Sequence, residues 1–310
     1  EIEVSKDGAK CKLAEKWLQK TAVDSELQVN ENDTQIHIKG REFAYTIDKR
    51  TALFTEMKFA GREYLNHPME LNIWRAPTDN DMYIKSEWKK AHYDKAYTRA
   101  YTTEVVQGKH GVKITSHASV VAETVQKILD VTITWKIDAS GKIDADIEAT
   151  KDGEFPDLPR FGVRMFLDKK LSDARYFGMG PQESYRDKHQ AASHGLYQAN
   201  VGDLHEDYIR PQENGSHYDC EYVELNNSRY GIVVSAENAF SFNASYYTQE
   251  ELEKKTHNYE LTESDSVVFC VDYALNGIGS NSCGPVVLDQ YRFDDVLFRF
   301  QFTLIPYVKG

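Results

Sequence analysis

The chain has 310 residues, 41% of them hydrophobic, enough to bury a sizeable core in one large domain. A formal net charge of −12 argues against a nucleic-acid partner, whose phosphates need a surplus of Lys and Arg. No apolar run approaches the roughly 18 residues of a membrane span, no secretory leader opens the sequence, and its start at Glu1 reads as a processed or excised chain.

Residues 1 to about 30 are polar and weakly patterned, and read as an extended connector. Period-two alternation then dominates, in Thr34–Ile38, Phe43–Ile47, 110–121, 128–138 and 142–150. Ile128-Leu129-Asp130-Val131-Thr132-Ile133-Thr134-Trp135 shows it best: one face buried, one wet, as in antiparallel sheet. Further strands are expected over Arg160–Leu167, Tyr218–Leu225, Tyr230–Ser235, Phe240–Tyr247, Ser266–Tyr273 and Leu297–Ile305. Short helices are expected at Ser86–Ala91 and at Thr248–Leu252, where Thr248 and Glu251 have capping-box spacing. The segment 168–217 lacks regular pattern and reads as a long structured loop, of the kind that often carries function or an interface. The fold class is therefore all-β, a large antiparallel sandwich.

Cys11, Cys220, Cys270 and Cys283 show no C-x-x-C spacing, which argues against zinc. They read as reduced thiols, and the protein as cytoplasmic. P-loop, G-x-G-x-x-G, H-E-x-x-H and G-x-S-x-G patterns are absent. No pair of acids stands out as the two carboxylates that glycoside cleavage requires.

Four loops concentrate polar chemistry. Trp74–Asp81 sets Pro77 before Asp79-Asn80-Asp81, either a self-bonded turn or a set of oxygens for sugar hydroxyls. Gly178–Tyr185 reads as a Gly-Pro corner with a buried Tyr or as part of a site. In Tyr208–Gly215, Arg210 and Glu213 either clamp a polar ligand or pair with each other. Asn276–Pro285 is an inter-strand loop whose glycines also allow close approach of a ligand. His189, His194, His205 and His217 fall in the irregular segment, as structural histidines or as an acid/base set for sugar-ring opening.

Together and in this order, these loops resemble the small-chain domain of family 2 β-galactosidases. The family pattern runs R-A-P-x-D-N-D, G-x-G-P-x-E-x-Y, P-x-E-N-G and a looser glycine-serine loop. It is met by Arg75–Asp81, Gly178–Tyr185, Pro211–Gly215 and, loosely, Gly277–Cys283. The resemblance implies a galactose mutarotase-like supersandwich over residues 29–310, with 1–28 as the connector from a preceding domain. It implies a (β/α)8 barrel partner, or large chain, that carries both catalytic glutamates and a magnesium ion. That barrel would cleave terminal β-D-galactosides such as lactose within an oligomeric enzyme. This chain would then hold no catalytic residue and be inactive alone. The resemblance also implies that Asn281, Ser282 and Cys283 wall the substrate pocket, Cys283 standing where members carry a Trp. Asp79, Asn80 and Asp81 would border its mouth. A sodium ion on the main-chain carbonyls of Arg210, Pro211, Leu252 and Lys255 is implied too, with Arg210 in place of an aromatic. A stand-alone carbohydrate-binding module and a mutarotase-like aldose epimerase are the alternatives.

Overall fold

The computed structural model describes residues 26–124 and 126–309. The connector expected over 1–28 falls almost wholly outside them; its last residues are already ordered, with Leu27 buried and a strand starting at Gln28.

Strands β1 (Gln28–Glu31), β2 (Gln35–Lys39), β3 (Phe43–Asp48), β4 (Leu53–Phe59) and β5 (Arg62–Glu63) form a five-stranded antiparallel sheet in sequence order. Twelve further strands form the main sheet: β6 (Leu65–Asn72), β7 (Tyr97–Gln107), β8 (Gly111–Val121), β9 (Leu129–Asp138), β10 (Ile143–Lys151), β11 (Arg160–Asp168), β12 (Asp173–Gly180), β13 (Ser193–Asn200), β14 (Ser216–Asn226), β15 (Tyr230–Ser245), β16 (Ser266–Leu275) and β17 (Leu297–Val308). Two short helices, α1 (Ile84–Lys90) and α2 (Gln249–Lys254), interrupt them. The all-β antiparallel class is borne out. In β9 the alternation works as read: Leu129, Val131, Ile133, Trp135 and Ile137 are buried while their neighbours face outward.

The sheet forks at β15. The segments Tyr230–Ser235 and Phe240–Tyr247, expected as two strands, are one strand with a more exposed middle at 236–239. Its first half pairs with β17 and leads on to β10, β9, β8 and β7. Its second half pairs with β16 and leads to β11 and β6. The two branches face each other, with Phe161 of β11 against Phe298 of β17 at 4.8 Å between ring centres. The small sheet covers the other end, where Phe54 of β4 packs on Trp135 at 4.9 Å and the Trp135 indole N–H donates to the Ala52 carbonyl at 2.8 Å. Burial of these aromatics on three sides makes the sandwich core.

Residues 168–217 are more regular than their pattern suggests, because they contain β12 and β13. β13 is an edge strand, mostly half-buried or exposed, so it carries no alternation to read. At α2, Thr248 caps the helix by accepting from the Glu251 N–H at 3.1 Å. The reciprocal half of the box is replaced: the Glu251 carboxylate accepts instead from the Thr262 N–H at 2.9 Å. Among the described residues no helix is long and apolar enough to cross a membrane, and Cys220, Cys270 and Cys283 are free thiols.

Where β11 meets β16 the register slips between Phe161 and Gly162, and the strands run unusually close. A Cβ on Gly162 would lie 2.1 Å from the Val271 carbonyl oxygen and 2.6 Å from the Asp272 Cα, both main-chain atoms with nowhere to retreat. Gly162→Ala should therefore destabilise the fold by about 1–3 kcal/mol, the cost of overpacking. Urea unfolding measures this; an unchanged midpoint would show that the strands part without penalty.

Candidate functional site

The motif loops converge on one end of the forked sheet. Arg75 is fully buried beneath them. Its guanidinium holds Asp81 through two bonds, 3.2 Å from Nε and 2.7 Å from Nη2. It also donates to the carbonyls of Asn276 at 2.6 Å and Gly277 at 3.1 Å. One side chain thus fastens the first motif loop to the fourth. Asp81 also accepts from the Thr78 N–H at 2.9 Å and the Thr78 hydroxyl at 3.1 Å, so this acid braces the turn. Asn80 extends the contact, donating to the Gly279 carbonyl at 2.6 Å and accepting from the Ser282 hydroxyl at 2.7 Å. Gly279 sits at φ +69°, a backbone angle L side chains rarely adopt. The turn there lets the Ile278 and Gly279 N–H groups both donate to Asp187, at 2.9 and 2.7 Å.

The third loop joins from the other side. The Glu213 N–H donates to the Ala76 carbonyl at 3.0 Å, and the Asp79 N–H donates to Gln212 at 3.0 Å. Arg210 and Glu213 do not pair. Arg210 lies 3.9 Å from Asp79, both well exposed, while Glu213 is buried against Arg160 at 3.2 Å. Arg160, itself fully buried, makes a bidentate pair with Asp272, 3.0 Å from Nε and 2.5 Å from Nη2. Burial opposes the Arg160 charge, but Asp272 and Glu213 outweigh it and hold the guanidinium protonated. The second loop supplies Glu183, which accepts from Lys188 at 2.5 Å, from the Tyr208 hydroxyl and from the Gly215 N–H at 2.8 Å.

Between these loops lies an open polar cleft of about 510 Å³, with Asp79, Asn80, Glu183, Asp187, Glu213 and Tyr185 in its walls. Most of its acids are already engaged. Glu183 and Asp187 are held by N–H, O–H and ammonium donors, and Asp79 is exposed beside Arg210. Glu213 keeps one buried oxygen, and Tyr185 its hydroxyl, without a hydrogen-bond partner. Burial raises the Glu213 carboxyl above its ordinary range, against the pull of Arg160 and Arg75. Asn281 is half-buried, and Ser282 and Cys283 are exposed at the outer lip beside Asn80.

Residues 39–304 match the family described as beta galactosidase small chain. The β-galactosidase of Actinobacillus pleuropneumoniae is 45% identical over 285 residues, covering 92% of this chain and 28% of that protein. The chain belongs to the β-galactosidase small-chain family. The β-galactosidase of Staphylococcus xylosus is 33% identical over 282 residues, covering 91% of this chain and again 28% of the relative. The small-chain sequence thus spans less than a third of the β-galactosidases it matches. Among solved structures, galactose 1-epimerase from Lactobacillus acidophilus aligns over 94% of this chain and all of its own, at 9% identity and a TM-score of 0.47.

The small-chain fold distributes the four histidines rather than gathering them. His217 is buried and bonded to the Met179 carbonyl at 3.2 Å. His194 contacts the Asp219 carbonyl at 3.0 Å, and His189 the Tyr185 carbonyl at 3.0 Å. His205 packs on Tyr247. The residues named for sodium lie on two segments, Arg210 and Pro211 on one and Leu252 and Lys255 around the end of α2 on the other. The Asn258 N–H joins them by donating to the Ile209 carbonyl at 3.0 Å. Sequence inspection passed over Arg160, Asp272 and Asp187. A charge closing the apolar run Val267-Val268-Phe269-Cys270-Val271-Asp272 was the available signal, since acids are seldom buried unpaired.

Arg75→Met should cost about 3–5 kcal/mol, because it leaves Asp81 and two carbonyls buried without their donor. Arg75→Lys should recover only part of this, an ammonium lacking the planar fork. Denaturant unfolding of the three proteins decides it; equal stability of Arg75→Met and the parent would remove Arg75 as the fastening.

His217 gives a pH signature. Burial pushes its ring down to about 4 from 6.5, so it stays neutral in the fold. The unfolded chain takes up that proton near pH 6.5, so stability is full above this value and falls as pH drops towards 4. The loss is on the order of 3 kcal/mol. His217→Phe should flatten this limb of the stability profile; an unchanged acid limb would assign it to other groups.

Proposed function

We propose that this chain is the small-chain domain of a family 2 β-galactosidase, and that its four-loop face docks on the catalytic portion and completes the galactoside site there. The observation that carries this reading is the convergence of all four motif loops into one polar cleft. Exposed apolar side chains lie in or beside three of those loops in sequence: Met82 and Tyr83, Ile209, and Val286 and Leu288. Exposed apolar residues near a polar cleft suit an interface.

Galactoside cleavage needs two carboxylates free to act as acid and as base or nucleophile. Glu183 and Asp187 spend their oxygens on holding loops, and Glu213 is buried against Arg160. The cleft therefore positions, and the cleavage itself belongs to the remainder of the enzyme. Asp79, Asn80, Asn281, Ser282 and Cys283 then supply the outer wall against the sugar. Asp81 supports that wall from behind.

A sodium ion on the carbonyls of Arg210, Pro211, Leu252 and Lys255 is part of this proposal. Main-chain oxygens at a helix C-terminus lack intrahelical donors and suit a hard monovalent cation, which would tie α2 to the third loop. The Arg210 guanidinium is drawn towards Asp79.

The test is hydrolysis of a chromogenic galactoside by this chain alone and by the chain mixed with the remaining part of the enzyme. No turnover alone and turnover after mixing supports the reading. Turnover by the chain alone would overturn it and make Glu213 the first acid to examine.

A further inference from the structure

A second cleft lies on the far side of Tyr185, with a volume of about 220 Å³. Its floor is three neighbouring strands: Tyr218 and Asp219 on β14, Phe240 and Ser241 on β15, Tyr273 to Leu275 on β16. Arg186 and Asp295 close its sides, and Arg186 is fixed by donating to the Arg292 carbonyl at 2.9 Å.

Three features mark this cleft as built for a ligand. First, β14 bulges between His217 and Cys220, and Asp219 within the bulge takes φ +57°. Bulges re-aim side chains near binding sites, and a non-glycine residue at positive φ is strained. Second, the tyrosine rings are braced from behind. Tyr273 stacks on Phe298 at 5.2 Å and 15°, and His189 stacks on Tyr218 at 5.6 Å and 29°. Neither phenol oxygen has a hydrogen-bond partner among the described residues. Third, the charges converge. The Tyr218 phenol is raised by burial and by Asp219, that of Tyr273 by burial and by Asp295, and both feel Arg186.

We propose that this cleft binds a single sugar ring through Asp219, Asp295, Arg186 and the hydroxyls of Tyr218 and Tyr273, against the carbon surface of the Tyr273 ring, Ala239 and Ala274. A pyranose presents vicinal hydroxyls that donate to carboxylates and accept from a guanidinium, and an apolar C–H face that packs on aromatic and aliphatic carbon. The volume is below the roughly 300–1,000 Å³ of sites for drug-sized ligands and fits one ring rather than a chain. The site is distinct from the four-loop cleft and does not depend on the catalytic role proposed for it.

Calorimetric titration of this chain with galactose, glucose and lactose tests the proposal. Two substitutions spare the fold. Asp219→Gly removes the carboxylate and relieves the positive φ, so the melting temperature should hold or rise. Tyr273→Phe removes only the hydroxyl and keeps the stack on Phe298. Each should weaken binding of the preferred sugar roughly 10-fold or more. Binding lost in Asn80→Ala, in the other cleft, but intact in Asp219→Gly and Tyr273→Phe would place the sugar in the four-loop cleft and overturn the inference. Absence of binding by all three sugars would overturn it too, while leaving the docking role to be judged by hydrolysis alone.

Discussion

Two buried guanidiniums hold the functional end of this molecule together. Arg75 and Arg160 each lose their hydration, a cost that Coulomb attraction recovers only when the geometry is near ideal. Each is matched by a bidentate carboxylate, Asp81 for Arg75 and Asp272 for Arg160. Each then uses its spare N–H groups on a different segment: Arg75 on the carbonyls of Asn276 and Gly277, Arg160 on Glu213. A hydrophobic contact of equal area would be as stable and would tolerate sliding. The directional forks do not. They fix where the first, third and fourth loops sit, Glu183 ties the second loop to the third, and that placement is what the cleft consists of.

The sheet serves the same end. Because β15 pairs with β17 along one half and β16 along the other, its second half carries β14 on one edge and β16 on the other. Gly162 lets β11 approach β16 closely enough for Arg160, at the start of β11, to reach Asp272 across the register slip. Core packing and site geometry thus share one strand junction. Damage there would be felt at both.

Strands whose residues alternate in polarity were legible in the sequence: β2, β3, β8, β9 and β10 lie within two residues of their expected limits. Strand β15 was read as two, since its exposed middle mimics a turn. Strands β1, β4, β5, β6, β7, β12 and β13 were not expected: the edge strand β13 carries little pattern, and β12 beside it mixes Asp173 and Arg175 with apolar residues and glycines. At the site, the loops were found by composition, but their wiring was not. Asp79-Asn80-Asp81 reads as three equivalent oxygen donors, yet the structure gives them three fates: exposed, bridging and buried. Arg75 and Thr78, in the same loop, select Asp81, while Gly279 and Gln212, distant in sequence, engage Asn80 and the Asp79 main chain. Arg210 and Glu213, three residues apart, likewise find partners on other segments.

The balance of charges bears on the supporting role proposed for this cleft. Lys188 neutralises Glu183, Arg75 neutralises Asp81, and Arg160 serves Asp272 and Glu213 together. That leaves one more carboxyl than cations in the cluster, and one oxygen of Glu213 is buried without a partner, as is the Tyr185 hydroxyl. A catalytic acid of a glycosidase must exchange its proton with substrate and water. Glu213 is closed off from water and tied to Arg160. Its unpaired oxygen is instead a buried polar atom, a deficit of about 1–3 kcal/mol that the fold carries. A deficit that would handicap a catalyst fits the docking role proposed for this face.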